Sequence, residues 1–438
     1  MNVVQFAGRQ GRGPLPKSSI IAALDIGSTK ISCLIGESHP VRGRVNADAT
    51  QGLRVLGLGQ TAARGIRSGA VVDVNEAECA IRIAVDAAER MAQTSISEVY
   101  ISISGGRPQT LCLSGRARTE TGVVGPRDID FAIQQALAGF DVGRRSILHL
   151  HPVNHVLDGV GDIAQPLGLH GEQLQVDIGI TTVEPAFLRN LSQAVERAHL
   201  TPAGFVLSSH AAARAALTAD EAELGAVVID MGGAVTSLAF LRHGKLAAAD
   251  SLALGGLHLT NDVAQGLSTS IAHAERMKTL WGNVLGGGHG EREMVAVPLL
   301  GERGADSVHK VPKAYLNNIL RARVEEIFEL VSGRLGQGAF AASAGAKVVL
   351  TGGASQLSGL RETAAMLLQR PVRLGGAAAL NGLSEHLRHG GFAAASGALV
   401  YAASPELHYA VPAATQAELQ RARMGYARRV GQWLAEAF

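Results

Sequence analysis

Three short stretches combine residue types that handle phosphate. The first, Asp25-Ile-Gly27-Ser28-Thr29-Lys30, bridges two apolar runs in "AALDIGSTKISCLIGE". A backbone passing close to a phosphate needs glycine, because a Cβ collides and because successive N–H groups must converge on the anion. Ser28 and Thr29 add hydroxyl donors, Lys30 adds charge, and Asp25 suits Mg²⁺ held through its water shell. Asp230-Met-Gly232-Gly233 supplies a second acid, also placed for Mg²⁺, and a second glycine bend. Gly352-Gly353, in "AKVVLTGGASQLSGL", supplies a third close approach. Any one of these reads equally well as a tight turn. All three in strand context point to one phosphate site. The first loop is not G-x-x-x-x-G-K-[ST] and returns into a strand, so it is no P-loop. It is not G-x-G-x-x-G either, which disfavours a dinucleotide fold.

The elements that position these loops follow from periodicity. Strands are expected over 53–60, 98–105 and 145–157, and helices near 75–92, 127–140, 185–200 and 314–336. Asp128 is the expected N-cap of the second helix. Residues 223–245 repeat the opening pattern of buried strand, aspartate, glycine loop and strand. Asp25 and Asp230 lie 205 positions apart, which suggests a duplicated lobe. His149, His151 and His155 share one strand-like segment. No Cys or third ligand is spaced with them, so a packed or surface strand is favoured over a metal site.

Composition narrows the class. The 438 residues are 47% hydrophobic and carry a formal net charge of +2, too balanced for a general nucleic-acid binder. The three cysteines Cys33, Cys79 and Cys112 form no CxxC pair and read as reduced thiols of a cytosolic protein. Residues 1–19 read as a disordered basic arm, not a signal peptide. The end, "RARMGYARRVGQWLAEAF" (421–438), places Tyr426, Val430, Trp433, Leu434, Ala437 and Phe438 on one helical stripe. Arg421 and Arg428 point away from it, and Arg423 and Arg429 flank it. That is the composition of a helix lying in a membrane interface.

The paired D-x-G hairpins and the TGG helix start resemble the actin-like ATPases. Within them, "ALDIGSTKISCLIGE", "ILHLHPVNHVLDG", "IDMGGAVTSLAF", "HAERMK" and "VVLTGGASQLSGL" resemble the FtsA family of bacterial cell-division proteins, in order from about residue 20 onward. The resemblance implies an α/β, actin-like two-lobed ATPase fold with ribonuclease H-like lobes and an inserted small α/β subdomain. It implies a basic arm at 1–19, a first lobe (1A) at 20–96 and 176–204, and an inserted subdomain (1C) at 97–175. The second lobe (2A) covers 205–259 and 346–402, the latter returning to the first lobe, and a smaller subdomain (2B) covers 260–345. A linker (403–420) and a membrane-targeting helix (421–438) complete the chain.

The resemblance also implies site roles. Gly27, Ser28, Thr29 and Lys30 hold ATP phosphates from the first lobe, and Asp230, Gly232 and Gly233 from the second. Gly352, Gly353 and Ala354 face the nucleoside, and Glu275 and Lys278, three apart on one helix face, contact it. Asp25 and Asp230 hold Mg²⁺ through water. The second loop departs from the family pattern D-x-G-G-G-T-x-D at Ala234, Val235 and Ser237, which implies ATP binding with weak or absent hydrolysis, and no catalytic base is assignable. Arg323 and Glu326, beside Arg321 and Glu325, are the candidates to bind the acidic-hydrophobic tail peptide of the tubulin-like FtsZ; their other reading is a plain solvated face. Tyr426, Val430, Trp433, Leu434, Phe438, Arg428 and Arg429 bind an anionic membrane. The implied role is a self-polymerising protein on the cytoplasmic side of the inner membrane. It anchors FtsZ filaments and recruits other division proteins to the septum. A small-molecule kinase or a pilus-assembly adaptor of the same fold are the alternatives.

Overall fold

A computed structural model of the chain describes residues 18–39, 50, 52–286, 292–300 and 308–404. The basic arm up to residue 17, the linker beyond 404 and the 421–438 helix, with Tyr426, Arg428, Arg429, Val430, Trp433, Leu434 and Phe438, lie outside the described residues.

The first apolar run folds as a hairpin around the glycine loop: β1 (Ser19–Ile26) pairs antiparallel with β2 (Lys30–Ser38), and β3 (Leu53–Ala62) pairs antiparallel with β2. A two-residue-per-strand hairpin, β4 (Ile66–Arg67) and β5 (Ala70–Val71), leads into α1 (Val74–Ala92). Asp73 caps α1, its Oδ1 accepting the N–H of Asn75 at 2.9 Å and of Glu76 at 3.1 Å. The expected apolar stripe, Ala77, Ala80, Ile81, Ala84, Val85 and Ala88, is buried against the sheet. Next, β6 (Glu98–Ile103) lies parallel to β1.

Between β6 and the rest of this lobe stands a separate unit: β7 (Gln109–Arg118), α2 (Pro126–Leu137), β8 (Ser146–Leu157) and β9 (Gln173–Val183), an antiparallel sheet in the order β7-β9-β8. The expected edges at 97 and 175 both shift. Residues 98–103 belong to the first lobe's sheet, because their parallel partner is β1, and β9 runs on to Val183 because β7 and β8 pair along it. Asp128 is not the N-cap of α2. Gly125 is, with Pro126 first in the helix, and Asp128 accepts the Gly125 N–H at 2.8 Å from the third helical position.

The lobe resumes with α3 (Pro185–Arg197) and β10 (Thr201–Leu207), giving the sheet order β10-β6-β1-β2-β3. Helix α4 (Ser208–Ala216) and the short α5 (Ala219–Leu224) cross to the second lobe. There β11 (Ala226–Met231), β12 (Thr236–Arg242) and β13 (Lys245–Leu252) precede α6 (Gly256–Gly266) and α7 (Ile271–Trp281). A hairpin of β14 (Met294–Pro298) and β15 (Val308–Pro312) leads to the long α8 (Lys313–Leu335). Finally β16 (Lys347–Thr351), α9 (Leu360–Leu368) and β17 (Val372–Leu374) complete the order β13-β12-β11-β16-β17.

The two sheets match strand for strand. Each has three antiparallel strands followed by two parallel ones, and Asp25 stands opposite Ser32 in register as Asp230 stands opposite Ser237. The duplication read from the two aspartates is thus a duplicated sheet. The last helix, α10 (Ala393–Ala403), returns to the first lobe and packs on β1, β2 and α4. One buried apolar cluster continues from Ile81 and Ile101 to Val228, Ala239 and Val349, so the lobes share a core.

The α4–α10 contact depends on one glycine. A Cβ on Gly397 would lie 1.7 Å from the Ala211 carbonyl oxygen. Gly397→Ala therefore forces the helices apart, and we expect a loss of about 1–3 kcal/mol in chemical denaturation. A stability equal to wild type would mean that the helices separate freely.

Candidate functional site

The two glycine hairpins meet at the seam between the lobes. Each closes with the same bond: the Gly27 N–H donates to the Lys30 carbonyl at 3.0 Å, and the Gly232 N–H to the Val235 carbonyl at 2.9 Å. A Cβ on Gly233 would stand 2.4 Å from Thr29 Cγ2, so the loops are in van der Waals contact. Ser28 Oγ accepts the Gly69 N–H at 2.9 Å, which leaves its own O–H available to donate.

Asp25 ends β1 and Asp230 ends β11, and Lys30 acts electrostatically on both. Burial raises the Asp25 carboxyl above its ordinary range, against the Ser102 hydroxyl and Lys30. Burial pushes Asp230 up to about 6; Asp25 pushes the same way, while the Ser208 hydroxyl and Lys30 oppose. Burial also lowers Lys30, against the pull of both acids. Its Nζ donates to the Gly391 carbonyl at 2.5 Å and lies 3.7 Å from the Phe392 ring centroid. Two acids coupled to one lysine fit a divalent cation: once ionised they exceed the local positive charge, and added cationic charge would stabilise both.

The third loop reaches the same point. Gly352 has φ +90°, and a Cβ there would lie 2.6 Å from Asp230 Oδ1. No side chain fits between that loop and the carboxylate. Beyond it, a Cβ on Gly353 would project into open space. Ala354 faces Gly256, whose added Cβ would be 3.2 Å from Ala354 Cβ and 3.7 Å from Lys278 Nζ. Lys278 Nζ donates to Glu275 Oε2 at 2.7 Å, to Thr260 Oγ1 at 2.8 Å and to the Gly256 carbonyl at 3.0 Å. Gly27, Ser28, Thr29, Lys30, Asp230, Gly232, Gly233 and Gly352 thus form one cluster, and Gly353, Ala354, Glu275 and Lys278 its extension.

Two contributors went unnoticed in the sequence. Gly255-Gly256 docks on the second hairpin: the Gly256 N–H donates to the Gly232 carbonyl at 3.0 Å, and the Leu257 N–H to the Gly233 carbonyl at 2.6 Å. The Gly390-Gly391-Phe392 turn holds Lys30 and binds the third loop, the Gly352 N–H donating to the Gly390 carbonyl at 3.2 Å. Both carry a Gly-Gly signal like that of the third loop.

The departures in the second loop are structural. Ala234 and Val235 are buried, and Ser237 donates to the Ser104 carbonyl of the first lobe at 3.3 Å. Ser237 thus ties a hydroxyl across the seam.

Arg323 and Glu326 lie elsewhere, on α8, and do pair with each other. Arg323 also forks onto Asp262 of α6, Nε to Oδ2 at 2.6 Å and Nη2 to Oδ1 at 3.0 Å. With Ile319 and Ala322 these residues line an open cleft.

Fold and site together define an actin-like protein with an inserted domain. Among solved structures, the chain resembles a PilM-PilN type IV pilus biogenesis complex, with TM-score 0.58 and 17% identity over 89% of this chain and 99% of that one. It also resembles MreB5 of Spiroplasma citri bound to ADP, with TM-score 0.52 and 14% identity over 88% and 97%. The family model "Cell division protein FtsA" matches residues 227–397, and "SHS2 domain inserted in FTSA" matches 105–182. The cell division protein FtsA of Rhizobium meliloti is 38% identical over 97% of each chain. That of Neisseria meningitidis is 32% identical over 95% of this chain and 98% of its own, and that of Escherichia coli K12 28% over 96% and 98%. The chain belongs to the FtsA family of cell-division proteins.

The raised Asp230 carboxyl has a signed consequence. Between its ordinary 3.8 and about 6 the native state holds a proton that the unfolded chain releases, so its contribution falls as pH rises through that window. Relative to wild type without nucleotide or Mg²⁺, Asp230→Asn is expected to match below pH ~4 and to gain on the order of 3 kcal/mol above ~6. Chemical denaturation across this range is the measurement, and a pH-independent difference would contradict it.

Proposed function

We propose that this chain binds ATP with Mg²⁺ between its lobes and uses it as a polymerisation ligand. The observation that carries the reading is the convergence of three glycine loops, Gly233 against Thr29 and Gly352 against Asp230, with Lys30 electrostatically coupled to both aspartates. Lys30, Ser28 and Thr29 take the phosphates from one side, and the Gly232-Gly233 backbone from the other. Asp25 and Asp230 hold the Mg²⁺ water shell, and the cation supplies charge neutralisation of the phosphates. Gly353, Ala354, Glu275 and Lys278 bound the nucleoside. A solved neighbour of this fold is described as bound to ADP, which supports a nucleotide in the cleft.

Hydrolysis is slow or absent in this reading. Ser237 stands where a further acid would order water, and its hydroxyl is already engaged. Lys30→Ala is expected to weaken MgATP binding about tenfold to a hundredfold by calorimetry. Unchanged affinity would refute the site, and fast phosphate release abolished by Asp230→Ala would refute slow turnover.

The same proposal places the protein at the cytoplasmic face of the inner membrane, at the septum, joining FtsZ filaments to lipid and recruiting later division proteins. Among the described residues no helix is long and apolar enough to cross a membrane. In this proposal attachment rests on the 421–438 stripe, and a polymer carrying many such helices gains by avidity. The FtsZ tail, acidic and apolar, suits the α6–α8 cleft. Its carboxylate takes the place of Asp262 on the Arg323 fork, since a planar guanidinium donates bidentately to any carboxylate. One reconstitution on anionic vesicles tests both contacts. Trp433→Glu should leave the protein in solution, whereas Arg323→Glu should stay on vesicles but fail to bring FtsZ. Retention of Trp433→Glu, or recruitment by Arg323→Glu, would contradict the corresponding contact.

A further inference from the structure

The inserted unit meets the helices that join the lobes through histidines that the nucleotide reading leaves unused. His149 and His151 are two apart on β8 and so face one side. Pairing of β8 with β9 slips between Ile147 and His149 and again between Pro152 and Asn154. Such bulges re-aim the side chains they flank. His210 arrives from the first turn of α4. All three are buried, at 3%, 7% and 1% exposure. Ring centroids are 5.8 Å apart for His149–His151, 5.1 Å for His149–His210 and 5.7 Å for His151–His210, and one nitrogen of each ring lies within 4.8 Å of the others. Tyr401 of α10 packs edge-on against His149 and His210 at 6.0 and 5.5 Å.

We infer that His149, His151 and His210 form a binding site for a divalent transition-metal ion of the Zn²⁺ class. The donor set decides the class. Imidazole suits Zn²⁺, Co²⁺, Ni²⁺ or Cu²⁺, and the absence of a carboxylate from the triad argues against Mg²⁺ or Ca²⁺. Three imidazoles fill a tetrahedral shell but for one position, which water takes. Nitrogens each 2.0–2.1 Å from a tetrahedral Zn²⁺ stand about 3.3 Å apart, so the rings must close by roughly 1.5 Å at most. Rotation about the soft imidazole torsion supplies that. His149 Nε2 accepts the Leu207 N–H at 3.3 Å, a long bond given up at little cost if that nitrogen turns to the metal. The third ligand is the reason the site escapes the sequence: His210 lies 59 positions from His151 and belongs to another element. His155 takes no part, its Nδ1 held at 3.0 Å from the Ile163 carbonyl. Bound metal would fasten the edge strand of the inserted unit to α4, beside α10, and fix how that unit sits on the seam. The inference does not depend on the nucleotide reading.

The test uses the full chain, stripped with a chelator, dialysed and titrated with Zn²⁺ or Co²⁺ alone. One equivalent should bind, raise Tm and give the visible absorption of low-symmetry Co²⁺. His151→Gln and His210→Gln should each lose at least about tenfold in affinity, while His155→Gln behaves as wild type. X-ray absorption at the zinc edge of the wild-type protein reads the ligands without any variant, and should show imidazole nitrogen with no sulfur. Absence of stoichiometric binding, a sulfur shell, or full affinity in His151→Gln would overturn the inference.

Discussion

The through-space coupling of Lys30 to Asp25 and Asp230 is the constraint on which the cleft depends. Burying a charge is costly unless it is paired and hydrogen-bonded, and here one partly buried ammonium is the through-space counter-charge of two acids. The molecule meets part of that demand itself: the Gly391 carbonyl and the Phe392 face hold Lys30, and both acids rest above the ordinary carboxylate range. What remains is an electrostatic deficit best met by added cationic charge. In the proposed nucleotide-bound state, a phosphate chain with its divalent ion would supply it, engaging Lys30 while neutralising the acids. Duplicated sheets are the economical scaffold for such a site, because one hairpin used twice brings an aspartate and a glycine bend from each side.

The duplication is faithful in backbone and unequal in chemistry. Gly27 and Gly232 close their turns by the same bond, and their aspartates face serines in the same register. Yet the first bend continues with Ser28, Thr29 and Lys30, whereas the second continues with Gly233, Ala234 and Val235. The first loop therefore carries the side-chain donors, and the second offers backbone. Gly233 against Thr29 Cγ2 shows how closely they approach. Such an arrangement suits the phosphate contacts proposed above. The proposed slow hydrolysis is in keeping with the Ser237 hydroxyl being engaged by the Ser104 carbonyl.

Much of this was legible in sequence, for local reasons. Strand–aspartate–glycine–strand is a contiguous pattern, so both hairpins and their recurrence were readable, as was the α1 stripe from Ala77 to Ala88. The boundary of the inserted unit was not. Residues 98–103 look like any short strand, and only the distant partner β1 assigns them to the first lobe. The Asp128 cap failed because aspartate serves an N-terminus from the third helical position as well as from the cap. Gly255-Gly256 and Gly390-Gly391 were passed over because no acid adjoins them; their role is to let backbones meet. Arg323 was visible as a charge on a helix face, but its Asp262 partner, 61 positions away, was not.

Helix α4 joins the parts that sequence could not connect. Ser208, in its first turn, acts on the Asp230 carboxyl, and His210, two residues later, packs against the inserted unit. Ala211, next along, is in backbone contact with Gly397 of α10. One turn of helix thus touches the phosphate site, the inserted unit and the helix that returns to the first lobe. The core there is continuous between the lobes, and close-packed interiors transmit displacement instead of absorbing it.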